Sequence, residues 1–264
     1  MLSPKNPVRY FISYNLRKIL RSISYYISKN SWADKISDNE LEYEVFKHEL
    51  PIFRDFSEVD WKLFDNKRTN LEIAASKVNK ILIEPGQKFS FWKLVGNPSK
   101  SKGYLPGLTI SQGQPAVGIG GGLCQFSNMI FFLTLHSDLE VVERHHHSFD
   151  IFPDNDRKVP FGTGATIVYN YKDICFYNPT SKTYQLCFDL KDDIFYGKLR
   201  VDKTESYKYS VFEDSCGFLM EYGQYYRTNR IMRKKTDLND NVISLDELFK
   251  NKRLCMYKPE EIDK

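Results

Sequence analysis

Three consecutive glycines, Gly120, Gly121 and Gly122, run straight into Leu123-Cys124-Gln125-Phe126-Ser127-Asn128. Glycine enters positive φ at little steric cost, so such a run frees the backbone for a sharp turn. Phe126, Met129, Ile130 and Leu133 then recur at helical spacing. Together these features predict a tight loop leading into a helix, with Cys124 in its first turn. The unpaired N–H groups and the positive dipole end there favour a thiolate. Downstream stands Arg144-His145-His146-His147-Ser148. A placed cysteine and a histidine elsewhere in the chain are the smallest kit for thiol nucleophilic catalysis.

Other stretches flank this segment in order: Pro85-Gly86-Gln87-Lys88-Phe89-Ser90-Phe91-Trp92, Val95-Gly96, Gly103-Tyr104, Glu143-Arg144-His145-His146-His147, Gly162-Thr163-Gly164-Ala165-Thr166 and Asp173-Ile174-Cys175-Phe176-Tyr177-Asn178. With Gly120 to Asn128 they resemble the VanW family in its short, stand-alone type. That family is named for an accessory protein of some vancomycin-resistance gene clusters. The motif-bearing part runs from Lys67 to Leu190, and His147 matches the histidine of the family's Arg-x-x-His stretch. The resemblance implies a link to glycopeptide resistance. It further implies a cysteine L,D-transpeptidase-like acyltransferase working on peptidoglycan stem peptides, with Cys124 as nucleophile and His147 as base and then acid. The alternative is a non-catalytic accessory protein that binds a cell-wall precursor or the antibiotic. The family commonly has Asp before the Ala-Thr pair, where this chain has Gly164. That leaves Asp150 or Asp173 to orient the histidine.

A chain of 264 residues that is 41% hydrophobic can bury a sizeable core. Its 17 Tyr and 19 Phe suit a β-rich protein or a surface that meets carbohydrate and peptide, packing on sheets being the commoner use. A net charge of +4 suits an acidic partner or an anionic membrane. Nucleic-acid binding is excluded by the lack of a motif and by weak charge asymmetry. Five cysteines form an odd set with no framework spacing, so a disulfide scaffold is not expected. Cys175 and Cys187 sit in apolar runs and read as small core residues. Cys124, His145 and His147 contain the donor types for a zinc site, but no Cys-x-x-Cys or His-Glu-x-x-His spacing supports one. The glycine run lacks the Gly-Lys-Ser/Thr ending of a phosphate loop. No metal and no cofactor is therefore expected.

The expected fold class is α+β: a helix-flanked, mainly antiparallel sheet domain whose Gly-rich loop leads into the helix carrying Cys124. Residues 1–66 read as a basic amphipathic helix and linker, 67–190 as the core domain, and 191–264 as a C-terminal β extension with a polar tail. Within the first 30 residues there are six cations and no acid. Ile12, Leu16, Ile19, Leu20, Ile23 and Ile27 fall on one helical face. That face either docks on the domain or meets an anionic membrane. No secretory signal or spanning segment reads from the sequence, so a cytoplasmic, membrane-peripheral location is expected. Leu71 to Leu82 reads as a helix, Phe89 to Val95 as an extended edge, Asp138 to Glu143 as the start of a strand bearing the histidines, and Ala165 to Asn170 as a strand.

For Cys124 the competing reading is a buried structural thiol beside a turn. Around it, Gly121, Gly122, Gln125, Ser127, Arg144 and Tyr104 are the candidates for oxyanion or substrate contacts. Phe89, Phe91 and Trp92 either line a groove with Tyr104 or pack in the core.

Overall fold

The computed structural model describes residues 7–27, 31–53, 61–111, 114–151 and 159–259. Among the described residues, four α-helices, α1 (Pro7–Ile27), α2 (Trp61–Val78), α3 (Phe91–Val95) and α4 (Leu123–Thr134), and a 3-10 turn at Lys100–Lys102 accompany thirteen strands. In chain order the strands are β1 (Tyr43–Pro51), β2 (Ile81–Ile83), β3 (Lys88–Ser90), β4 (Pro106–Ser111), β5 (Gln114–Ile119), β6 (Glu140–Glu143), β7 (Phe149–Asp150), β8 (Cys175–Tyr177), β9 (Tyr184–Lys191), β10 (Ile194–Val201), β11 (Tyr207–Glu221), β12 (Gln224–Asp237) and β13 (Val242–Cys255). They form sheets ordered β1-β10-β9-β2, β3-β8-β6 and β11-β12-β13-β7, with β4-β5 as a separate hairpin. Among these thirteen strands pairing is antiparallel except between β13 and β7. The class is α+β.

Helix α4 is apolar on nearly every side, as a helix inside a core must be. Its Phe126 ring lies 4.7 Å from Phe188 of β9 and 4.9 Å from Phe195 of β10. Phe91 of α3 closes the same cluster at 5.5 Å. These contacts fix the helix against the first sheet and hold its N-terminal turn in place.

Several elements differ from the sequence reading. Residues 43–51, expected within a linker, form β1, which pairs with β10. The helix over Leu71 ends at Val78, and Leu82 lies in β2. Ser90 caps α3 by accepting a bond from the Lys93 N–H, so 91–95 is helical, not extended. The Ala165–Asn170 stretch is irregular apart from a bridge between Val168 and Lys172. The histidines follow β6 instead of lying in it. Most of the expected polar tail is β13.

The N-terminal helix does not bury its apolar stripe, so the expectation that this face docks on the domain is not met. It docks, but through its polar face. Tyr25 OH donates to Asp173 Oδ2 at 3.0 Å, and Arg21 reaches Glu143 Oε1 at 2.7 Å. Tyr14 packs on Tyr171 at 5.0 Å, and Lys18 lies 5.4 Å from the Tyr169 ring centre. The aliphatic stripe faces outward.

Candidate functional site

The glycine run makes the predicted turn. Gly120 and Gly122 take φ of 75° and 95°, and Gly122 is the N-cap of α4. Gly121 is needed for a different reason. A Cβ there would fall 2.1 Å from the carbonyl carbon of Gly107 on β4, a distance no side chain tolerates. The buried Asn70 of α2 locks this contact by donating to Gly121 O at 2.9 Å and to Leu105 O at 3.0 Å.

Cys124 therefore stands in the first turn of α4, partly exposed and reduced. The N–H groups of Gly122 and Cys124 stand at the start of α4. N–H groups at a helix N-terminus lack an intrahelical partner. Gln125 points elsewhere, donating to Pro51 O at 2.7 Å. The Ser127 hydroxyl is buried and spent on Ala165 O at 2.6 Å.

One turn after Cys124, Asn128 builds the histidine's seat. The Ala165 N–H donates to Asn128 Oδ1 at 2.7 Å, so that atom is the amide oxygen. His147 Nε2 meets the same oxygen at 3.2 Å and must carry the proton. Nδ1 is then the unprotonated nitrogen, and the Thr166 hydroxyl donates to it at 2.8 Å. Cys124 and His147 are thus joined through shared neighbours. Asn128 holds the ring, and the Ile167 N–H, next to Thr166, hydrogen-bonds toward the Cys124 sulfur. No hydrogen bond among the described residues links the sulfur to the imidazole directly.

Neither Asp150 nor Asp173 orients His147. Asp150 accepts from Tyr257 at 2.7 Å and faces Arg227, whereas Asp173 accepts from Ser90 at 2.6 Å. Gly164 instead gives the ring room, since a Cβ there would lie 2.7 Å from His147 Cδ2. Arg144 fixes that segment. Its guanidinium donates to the Gly162 and Gly164 carbonyls and lies 4.4 Å from the Phe131 ring centre and 4.5 Å from that of Phe249. These bonds commit Arg144 to structure.

Electrostatics sets the protonation states. Burial first, and then the positive charge of Arg144, push His147 down to about 4. It is a neutral imidazole at pH 7. Burial also raises the Cys124 thiol above its ordinary value, outweighing the Ile167 N–H and the charge of Lys172. The helix terminus does not produce a resting thiolate here, because desolvation is the larger effect and no imidazolium stands nearby.

Other expected positions are taken up by core packing or by other partners. Tyr104, Phe89, Phe91 and Trp92 are core residues, and Tyr104 is held up at about 12 by burial, its hydroxyl without a partner among the described residues. His145 bonds Glu143 at 2.9 Å. No cluster of three metal-ligating side chains occurs among the described residues. Asn128, Thr166 and Asn70 were not anticipated. Asn128 was legible in principle, since it lies four residues after Cys124 on one helix face.

The whole chain can be placed by comparison. It is 31% identical over 254 residues to the Vancomycin B-type resistance protein VanW of Enterococcus faecalis, covering 94% of this chain and 92% of that protein. It is 30% identical over 109 residues to the uncharacterized protein YoaR of Bacillus subtilis, covering 41% of this chain and 34% of YoaR. No solved structure matches. The model of VanW-like proteins matches residues 66–200, a span that contains both Cys124 and His147. The chain belongs to the VanW-like family.

Proposed function

We propose that this chain serves glycopeptide resistance as a cysteine acyltransferase acting on peptidoglycan stem peptides. The Cys124 sulfur attacks the amide carbonyl that precedes a D-residue. The N–H groups of Gly122 and Cys124 receive the developing oxyanion, a contribution of about 3 kcal/mol per good donor. The thiol proton moves toward His147 Nδ1 through the Thr166 hydroxyl, which gives its own proton to the imidazole as it takes one from sulfur. His147 then returns a proton to the leaving amine. The thioester passes to an amine or to water. Because the thiol is raised and the imidazole neutral, proton removal accompanies attack instead of preceding it.

The observation that carries this reading is the placement of Cys124 at the N-terminal turn of α4, one helical turn from the asparagine that holds a neutral histidine. The name of the Enterococcus faecalis relative supplies the resistance context. Incubation with a tetrapeptide stem tests it. Intact-protein mass spectrometry should show an acyl adduct that maps to Cys124 and vanishes in Cys124→Ala. The absence of any adduct under turnover conditions overturns the reading.

A second reading is favoured by the occupation of both His147 nitrogens by Thr166 and Asn128. In it the chain is a non-catalytic accessory protein that holds a precursor or the antibiotic. Calorimetric binding of the stem or the glycopeptide, unchanged in Cys124→Ala and without an adduct, would establish it.

A further inference from the structure

The turn that follows Thr166 and Ile167 brings a lysine back toward the candidate site. The Val168 N–H donates to Lys172 O and the Lys172 N–H to Val168 O, each at 2.9 Å. Asn170 takes φ of 52° within this turn, and Trp92 Nε1 donates to Lys172 O at 2.8 Å. The backbone of Lys172 is therefore fixed against the residue next to Ile167, whose N–H hydrogen-bonds toward the Cys124 sulfur. The charge of Lys172 acts on that sulfur and on His146 and His147. Among the described residues, the half-buried Lys172 ammonium has no hydrogen bond and no ion pair. The nearby acids are already engaged. Asp173 accepts from Ser90 and Tyr25 and lies 3.4 Å from Arg21, and Glu143 meets Arg21 and His145. Arg144 and Arg253 also act on His147. Arg144 is spent on the Gly162 and Gly164 carbonyls, and Arg253 on the Lys252 carbonyl and Asn251 Oδ1. Among the described residues no carboxylate pairs with Arg144, Lys172 or Arg253.

We infer that Lys172 receives a free carboxylate of the substrate, so that the site selects peptides whose C-terminal carboxylate stands one residue beyond the amide that Cys124 attacks. The position of that amide rests on the acyltransferase reading; the preference for a carboxylate rests on the cations around the site. A partly desolvated positive charge with no counter-charge is costly, and a bound anion removes that cost. One residue of extended chain spans about 3.5 Å. A terminal carboxylate that close to the scissile amide stays within the field that Lys172 exerts on Cys124 and His147. Lysine suits the task, because its ammonium is a compact point charge with three donors on a flexible stem. A phosphate carries nearly two charges and three strong acceptor oxygens and calls for several free donors. Here Arg144 and Arg253 already bond protein oxygens, and Lys172 is left for a single carboxylate. The carboxylate gives Lys172 the partner it lacks and sets the register in which the scissile carbonyl meets the sulfur.

The test separates binding from chemistry. The full chain carrying Cys124→Ala is titrated calorimetrically with a tetrapeptide stem that ends in D-alanine, and with the same peptide as its C-terminal amide. The free acid should bind at least ~10-fold more tightly than the amide, the scale of one charge-assisted hydrogen bond. Adding Lys172→Gln should abolish that preference and leave affinity for the amide unchanged, whereas Lys172→Arg should retain it. Melting temperatures equal to that of the parent confirm the fold of both variants. Equal affinity for acid and amide, no binding of either peptide, or a preference that survives Lys172→Gln overturns the inference. A preference that depends on Lys172, in a protein whose wild type forms no adduct, upholds the inference and removes only the acyltransferase reading. An adduct that forms equally well from acid and amide does the reverse.

Discussion

Gly164 and His147 are in direct contact: a Cβ at position 164 would lie 2.7 Å from His147 Cδ2 and 2.9 Å from its Nε2. It would also lie 2.9 Å from Asn128 Oδ1. In this chain the position where the family commonly has Asp is the space in which the imidazole rests, and Asn128 and Thr166 perform the orienting.

Gly164→Ala should therefore push His147 off Asn128. Overpacking of this kind costs roughly 1–3 kcal/mol, read as a lower melting temperature. The freed ring gains solvent, so its NMR titration midpoint should rise toward the ordinary histidine value. An alanine variant with unchanged stability and titration would show that the seat relaxes without strain.

Asn128→Asp places a carboxylate where the amide oxygen now meets His147 Nε2. An adjacent opposite charge favours the protonated ring, so the midpoint should rise from about 4 by roughly 1–3 units. Asn128→Leu removes the acceptor without adding charge and should leave the midpoint low. Titration of the His147 ring resonances in both variants checks the sign. Equal midpoints in the two would refute the electrostatic account.

Thiol labelling should follow exposure in the resting protein. Cys216 is exposed, whereas Cys175, Cys187 and Cys255 are buried and the Cys124 thiol is raised by burial. A neutral alkylating agent near pH 7 should modify Cys216 before Cys124. A stem peptide that acylates Cys124 should then protect it. Peptide mapping over a time course decides the order; Cys124 reacting first without substrate would mean that a thiolate is already present at rest.

Acidification should weaken the fold well above the carboxylate range. Burial is the main cause that lowers both His136 and His147 from 6.5 to about 4. Between those limits the unfolded chain binds protons that the folded chain refuses, so stability is full above about 6.5 and falls with pH. The loss is on the order of 1 kcal/mol per pH unit for each histidine. Glu143, held near 2 by His145 and Arg21 against the penalty of burial, adds a further loss only below its ordinary 4.5. Thermal melts from pH 7 to pH 4 measure the slope, and replacing buried His136 by a neutral residue should flatten it. A flat profile through pH 5 would contradict the histidine contribution.

The turn and helix around Cys124 were readable because their causes are local: glycine φ freedom and apolar spacing. His147 was reachable through the order of its motif. What the sequence concealed depends on contacts distant along the chain. Asn128 looks like an ordinary helix residue until the Ala165 N–H marks its oxygen as an acceptor. The 43–51 strand carries too many charges to announce itself, and it exists because β10 offers it a partner. Burial of the Cys124 thiol comes from segments around Ile167 that no local pattern brings near it. The outward stripe of α1 was visible as a stripe, but its direction was set by Asp173 and Glu143, both more than a hundred residues downstream.

The meeting of Gly107 and Gly121 constrains how a chain of this kind can change. A Cβ on Gly107 would lie 2.8 Å from the Gly121 carbonyl oxygen, and one on Gly121 would lie 2.1 Å from the Gly107 carbonyl carbon. In an aromatic core one neighbour can shrink while another grows, so substitutions can compensate. Backbone against backbone leaves nothing to trade. Neither position can be altered first and repaired at the other, because each repair would need space that the main chain itself fills. The β4-β5 hairpin and the helix bearing Cys124 are therefore bound to vary together or not at all, and any search of sequence space around this site, natural or engineered, has to move along other axes.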